Sequence, residues 1–431
     1  VRVVAIRMER HSLTRQWLDL TAHTGILRNK WIPGYIHHNT YYPPYEDFGN
    51  PHWRSMTIRP QYGLDCILPE GRWKICAFVE REMVDGPWGS LPDLLNPEAV
   101  RYFMELTHEK YAQRFGHLFG KLIPGIFTDE PKAFGIVSWT EGLADYFYNL
   151  FGYDIRLKLP DLFMTIDRET AQVRHDYRLA LGRLFTESYV IPIADWCKDR
   201  SIISTGHISP EEDPVGQTRF APYLLSMLKR FHMPGTDLIA GHIGSSAYPL
   251  LHLGPKLASS AAHHAGREGV LAEAFGANSW SLGYKEMKKM ADWLFVMGVT
   301  DIVTHGQFYS IDGLRKKEAP PSLFYQSSHW PYFASFAQYL AEVSALLREG
   351  VHRCRLLVYY PQAAFSAYYP DRIEELKRCS DQFGAFVHEL LSNQWDFDLV
   401  DEETLLQMTM KDGNLQGVTE NYEVLLLACC D

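Results

Sequence analysis

From about residue 96 to residue 350, short apolar runs alternate with amphipathic segments, and this alternation constrains the fold more than any single motif. Asn96 followed by Pro97 predicts a helix start, with Val100, Phe103, Met104, Thr107, Tyr111 and Phe115 on one face up to Gly116. A strand over 122–128 follows, then a helix over 141–151 and a long helical stretch over about 168–198 that Pro192 should kink. Further strands are expected at 201–205, 236–240, 270–272 and 299–304, with helices at 221–232, 255–266, 284–297 and 331–348. Strand-then-helix units of this length call for parallel strands, and their unbroken repetition favours a (β/α)8 TIM-like barrel over an open sheet. Six units are clear where a barrel needs eight. The balance is expected from residues 1–90 or from sequence ahead of Val1.

The flanks read differently. Residues 1–71 form a β-rich subdomain or insertion: VRVVAIRM, a turn-rich aromatic segment (Trp31 to Tyr45), then the turn LPEG leading into a strand near 73–80. Residues 72–350 make the barrel. Residues 351–431 read as the start of a doubly wound α/β domain, with RLLVYYP a strand, 380–391 a helix, 396–400 a strand and YEVLLLA at 422–428 a last strand. The chain begins in strand-like sequence and stops on a strand, so more sequence is expected at both ends.

The charged fraction of 22% and aromatic fraction of 13% mark a folded chain. A net charge of −10, with no basic run longer than Arg315-Lys316-Lys317, argues against a nucleic-acid or anionic-membrane surface. No apolar stretch approaches the roughly 18 residues of a membrane span. The seven cysteines are scattered without CxxC spacing and read as buried thiols, not as a zinc site or disulfide framework.

Chemistry in a parallel barrel gathers where strands end. The expected strand ends are Asp129 and Glu130, His207, His242, Glu273, and His305 with Gln307 and Tyr309. In LIPGIFTDEPKAFG, Pro131 pushes Glu130 out of helical geometry, leaving two adjacent carboxylates at a strand edge. Glycoside hydrolysis needs one carboxylic acid to protonate the leaving oxygen and a second carboxylate on the opposite face. Glu130 and Glu273 supply that pair, while Asp129, the histidines, Gln307 and Tyr309 offer hydrogen bonds to sugar hydroxyls. A metal-dependent amidohydrolase-like barrel is the alternative, though no His-x-His stands on an early strand and His37-His38 and His263-His264 are adjacent pairs. A barrel that binds glycan without cleaving it is a third reading.

The motifs LTHEKYAQRFG (106–116), GIFTDEP (125–131), STGH (204–207), AHHAGREGVLAEAFGANSWS (262–281) and the block from Asp292 to Phe333 together resemble the α-L-rhamnosidases of glycoside hydrolase family 106. The resemblance implies a catalytic (β/α)8 barrel that inverts the anomeric carbon, with Glu130 as general acid and Glu273 as general base. It implies an exo-acting enzyme on a carbohydrate substrate with a terminal deoxy or neutral sugar, and Trp280 on the substrate side. It also implies calcium near the sugar; Asp129, Glu109 and Asp65 are candidate ligands, which the sequence does not single out from other surface carboxylates.

Overall fold

In the computed structural model, which describes residues 2–33, 56–81, 84–85, 89–239 and 241–428, the chain divides into two units. One comprises Val1–Asp93 and Trp139–Val173, the other Leu94–Ser138 and Arg174–Asp431. The first is built on antiparallel strands. Arg2–Glu9 pairs with Ser12–Asp19 on one side and with Arg72–Phe78 on the other. Alternation puts Val3 and Ala5 inward with Leu20, against Leu64 and Trp73. Thr24–Pro33 pairs separately with Met56–Leu64. Most of the expected aromatic platform, and His37-His38 with it, falls at 34–55 and lies outside the described residues. The helix Leu143–Phe151 also belongs to this unit, where Arg15 grips the buried Asp161 at 2.7 Å and Asp167 at 2.6 Å.

The second unit carries five parallel strands: β1 (Gly125–Asp129), β2 (Ile203–His207), β3 (Met233–Leu238), β4 (Leu271–Ala274) and β5 (Asp301–Thr304). They are hydrogen-bonded in sequence order, making a curled half-barrel sheet. The helices Leu253–Ala265 and Tyr284–Val296 connect β3 to β4 and β4 to β5, and Phe333–Glu349 follows β5. Met287, Met290, Leu294, Phe336 and Leu340 pack from two of them onto Ala272 and Ala274. Each large side chain so buried contributes about 1.5–3 kcal/mol.

Several expected boundaries move. The helix foreseen over 96–116 breaks at Thr107 into Pro97–Leu106 and His108–Phe115, leaving Tyr111 exposed while Val100 is buried. The one foreseen at 221–232 shortens to Leu224–Leu228, entered through Tyr223 at φ 62°, and an unforeseen helix, Pro214–Phe220, precedes it. The long helix runs Glu169–Phe185, loosens into a π turn over Thr186–Val190 and resumes as Ile191–Asp199 with Pro192 in its first turn.

The C-terminal strands β6 (Leu356–Tyr359), β7 (Phe397–Val400) and β8 (Val424–Leu427) are parallel in the order β7-β6-β8. Their strand order reverses at β6, as in doubly wound sheets. The helix Ile373–Ser392 is longer than expected. Three short antiparallel strands between Thr409 and Tyr422 were not foreseen.

Candidate active site

Register decides which side chains meet. Asp129 on β1 lies opposite His207 on β2, and Asp237 on β3 lies opposite Glu273 on β4. Opposite residues of a parallel pair point to the same face, so two strand pairs each present a neighbouring polar couple. The close approach of β1 and β2 requires Gly206. Its φ is 126°, and a Cβ there would stand 2.0 Å from the Thr128 carbonyl oxygen.

His207 is wholly buried at the centre. Its Nε2 donates to Glu273 Oε2 at 3.1 Å and lies 3.5 Å from Asp129 Oδ1. Its Nδ1 stands 3.5 Å from Glu211 Oε1 without hydrogen-bond geometry. Burial by itself would favour neutral imidazole. The hydrogen bond to Glu273 and the charges of Glu211 and Asp237 outweigh it and push His207 up to about 9. Glu273 moves the opposite way: burial works against its charge, but the hydrogen bond and charge of His207 hold it below its ordinary value. At neutral pH the couple is therefore imidazolium and carboxylate.

The other carboxyls rise. Burial pushes Glu211 up to about 8 and Asp237 up to about 7, with Glu273 and Glu130 adding to the shift at Asp237. Glu212 is raised by burial, then by Asp213 and Glu130. Asp129 is raised by desolvation and then by Glu273 and Glu130, although its side chain is 74% exposed and so the most readily screened. Crowding of carboxyls around one imidazolium thus favours the protonated form most at Glu211 and Asp237, the two raised furthest.

Glu130 turns away from its neighbour. The strand ends at Asp129, and Glu130 takes φ 48°, where an extended residue was expected ahead of Pro131. Left-handed backbone at a non-glycine residue costs about 1–2 kcal/mol, and such strain gathers at functional sites. The turn separates the adjacent carboxylates. Asp129 faces His207, while Glu130 Oε2 accepts from Lys132 Nζ at 2.8 Å and its charge still reaches Asp129, Glu212 and Asp237.

The three histidines do not occupy equivalent positions. β3 is Met233–Leu238, not 236–240, so Asp237 rather than His242 sits at its carboxyl end. His242 lies four residues past the strand, exposed and stacked on Tyr248. His305 follows β5 directly, and its charge acts on Glu273 and Asp129. Gln307 is exposed in the next loop, and Tyr309 is 89% exposed with its carbonyl accepting from the Tyr325 hydroxyl. Trp280 donates its ring N–H to the Lys316 carbonyl at 2.8 Å. Glu109 accepts from Trp196 and Arg200, and Asp65 is exposed in the other unit. Sequence reasoning missed Glu211, Glu212 and Asp237. Asp237 left a signal as the lone charge inside an apolar strand, whereas Glu211-Glu212-Asp213 reads as an ordinary solvated run.

Asp129, His207 and Glu273 bring donor atoms within 4.8 Å of one another. That spacing is too short for Asp129 and Glu273 to flank a water as an inverting pair, which needs about 6.5–9.5 Å.

The fold is that of a parallel α/β half-barrel similar to TIM-barrel glycosidases. A catalytic mutant of a GH42 β-galactosidase from G. stearothermophilus aligns with TM-score 0.51 at 10% identity, over 72% of this chain and 50% of its own. A β-galactosidase from Rahnella sp. R3 aligns with TM-score 0.50 at 10% identity, over 74% of this chain and 50% of its own. The rhamnosidase of Novosphingobium sp. PP1Y aligns with TM-score 0.63 at 18% identity, over 97% of this chain but 37% of its own, so this chain spans little more than a third of that protein. No curated protein matches the sequence. The model of glycoside hydrolase family 106, α-L-rhamnosidase, matches residues 85–429, and the chain belongs to that family.

Proposed function

We propose that the chain carries the catalytic centre of an inverting, exo-acting α-L-rhamnosidase, with Glu130 as general acid and Glu273 as general base. The observation that supports this best is the His207–Glu273 couple: an imidazolium that keeps a half-buried carboxylate ionised at neutral pH, as a base must be. In this reaction Glu130 gives a proton to the glycosidic oxygen as its bond to the anomeric carbon breaks. Glu273 takes a proton from the water that attacks the opposite face. Asp129 stands too near Glu273 to serve as the acid of such a pair, so holding the sugar falls to Asp129 and Asp237. His242, His305, Gln307, Tyr309 and Trp280 lie on loops beyond the strands and are proposed as further sugar contacts. The five strands are read as part of an eight-stranded barrel, since Phe127 and Val303 lie 38% and 43% exposed on the face that also carries Asp129 and Glu273.

Calcium takes six to eight oxygen ligands. Asp129 is the exposed oxygen donor of the group in which Asp129, His207 and Glu273 bring donor atoms within 4.8 Å of one another, so its chemistry fits and it would hold the cation. Bound there, it supplies a fixed positive charge for sugar hydroxyls. The readings of an amidohydrolase-like barrel and of a non-catalytic glycan-binding barrel are less well supported, because a strand-end base is held ionised and the family is one of glycoside hydrolases.

A panel of nitrophenyl glycosides, followed by proton NMR of the first-formed sugar, tests the proposal. Release of β-L-rhamnose from an α-L-rhamnoside is expected. Release of the α anomer would rule out inversion, and binding without turnover across the panel would rule out the enzyme.

A further inference from the structure

Among the described residues, the densest group of metal-type side chains outside the active site lies around the C-terminal sheet. His352 and Cys354 stand ahead of β6, Asp396 and Asp398 at the start of β7, and Glu420 ahead of β8. Asp398 is 0%, Glu420 2% and Cys354 7% exposed. His352, Cys354 and Glu420 bring donor atoms within 4.8 Å of one another. His352 Nδ1 is 3.0 Å from Glu420 Oε1, and Cys354 Sγ is 3.5 Å from Asp398 Oδ2.

The surrounding groups are arranged as they are behind metal ligands. The other nitrogen of His352, Nε2, donates to Asp396 Oδ2 at 2.7 Å, and Lys256 Nζ holds Asp396 at 2.9 Å. Asp398 is backed by His263 Nδ1 at 2.8 Å and by the Tyr422 hydroxyl at 2.7 Å. An imidazole oriented by a carboxylate, and a carboxylate oriented by its own hydrogen bonds, are the usual outer shell of a metal site. The thiol itself stands among oxygen donors, 3.5 Å from Asp398 Oδ2 and 3.9 Å from the Leu356 carbonyl, while Glu420 Oε2 accepts from the Cys354 backbone N–H at 3.4 Å.

We propose that His352 Nδ1, Cys354 Sγ, Asp398 and Glu420 form a structural site for a zinc-class divalent cation that ties the segment ahead of β6 to β7 and β8. One nitrogen, one sulfur and two oxygens suit tetrahedral zinc, and they are too few and too soft for calcium. Binding displaces the thiol proton and the proton between His352 and Glu420 to solvent, with no redox step. The donors come from three separate segments, which is why the cysteines showed no zinc spacing in the sequence.

The test uses the full chain stripped with chelator and reloaded with zinc or cobalt(II). About one equivalent of either ion per chain is expected at this site. Cobalt should show a thiolate-to-metal charge-transfer band, and zinc should raise Tm. Cys354→Ser should abolish both the band and the Tm shift, while Glu273→Gln should leave both unchanged. Cobalt binding without the band, a band that survives in Cys354→Ser, or no binding above background would overturn the proposal. If Cys354→Ser does not fold, the cobalt spectrum of the unaltered chain decides.

Discussion

His207 couples to groups on every neighbouring element of the site: Asp129 on β1, Glu211 in the loop after β2, Asp237 on β3 and Glu273 on β4. Its folded-state value of about 9 lies above the ordinary histidine value of about 6.5. Its contribution to stability is therefore complete below about 6.5 and is lost as pH rises through about 9. Glu211, raised to about 8, works in the same direction, since keeping its proton favours the fold at low pH and that benefit fades toward pH 8. Melts recorded from pH 6 to 10 should show Tm falling across this window, with a shallower fall in His207→Gln. Activity should have an alkaline limb near 9 that His207→Gln removes, along with a drop in kcat. Glu273→Gln and Glu130→Gln should each lower kcat by about 100- to 10,000-fold with unchanged circular dichroism; near-native turnover in either would strip that residue of its role. Glu130, His207 and Glu273 were legible in the sequence because each follows an apolar run. Asp237 and Glu211 were not, because their importance comes from burial and from neighbours on other strands, which local pattern does not carry.

At the scale of elements, type was more legible than boundary. All five parallel strands were foreseen, but β3 begins three residues earlier than expected, and with a two-residue side-chain period that shift decides which residue stands at the end of the strand. The helix break at Thr107 was also hidden, since apolar spacing continues across it while the backbone there leaves helical geometry. Gly206 is where strand geometry and site geometry depend on one residue. An alanine there would need φ 126° and would meet the Thr128 carbonyl at 2.0 Å, so β1 and β2 would have to part. Gly206→Ala is expected to cost about 3 kcal/mol or more in urea unfolding, and to lower kcat through the Asp129–His207 register. A stable variant with unaltered kinetics would show that the register is not needed.

Within the second unit the two proposed cation sites differ in chemistry, an oxygen-rich one at Asp129 and a sulfur-bearing one at Cys354. Hard calcium and softer zinc discriminate by ligand type, so each should respond to a different chelator. The first cation assists substrate binding and the second ties strands together, so removing them should register in different measurements. Treatment with a calcium-selective chelator should raise KM or abolish rhamnoside turnover with little change in Tm, reversed by calcium and mimicked by Asp129→Asn. A zinc-selective chelator should lower Tm while the rate measured well below the melting range stays close to native. Loss of activity and stability together on calcium removal alone would mean that the oxygen-rich site also holds the fold, because a cation that binds only the folded chain stabilises it in proportion to its affinity. No change in turnover with either chelator would leave the carboxylate cluster to work by protons alone, with the His207 imidazolium as its one buried positive charge.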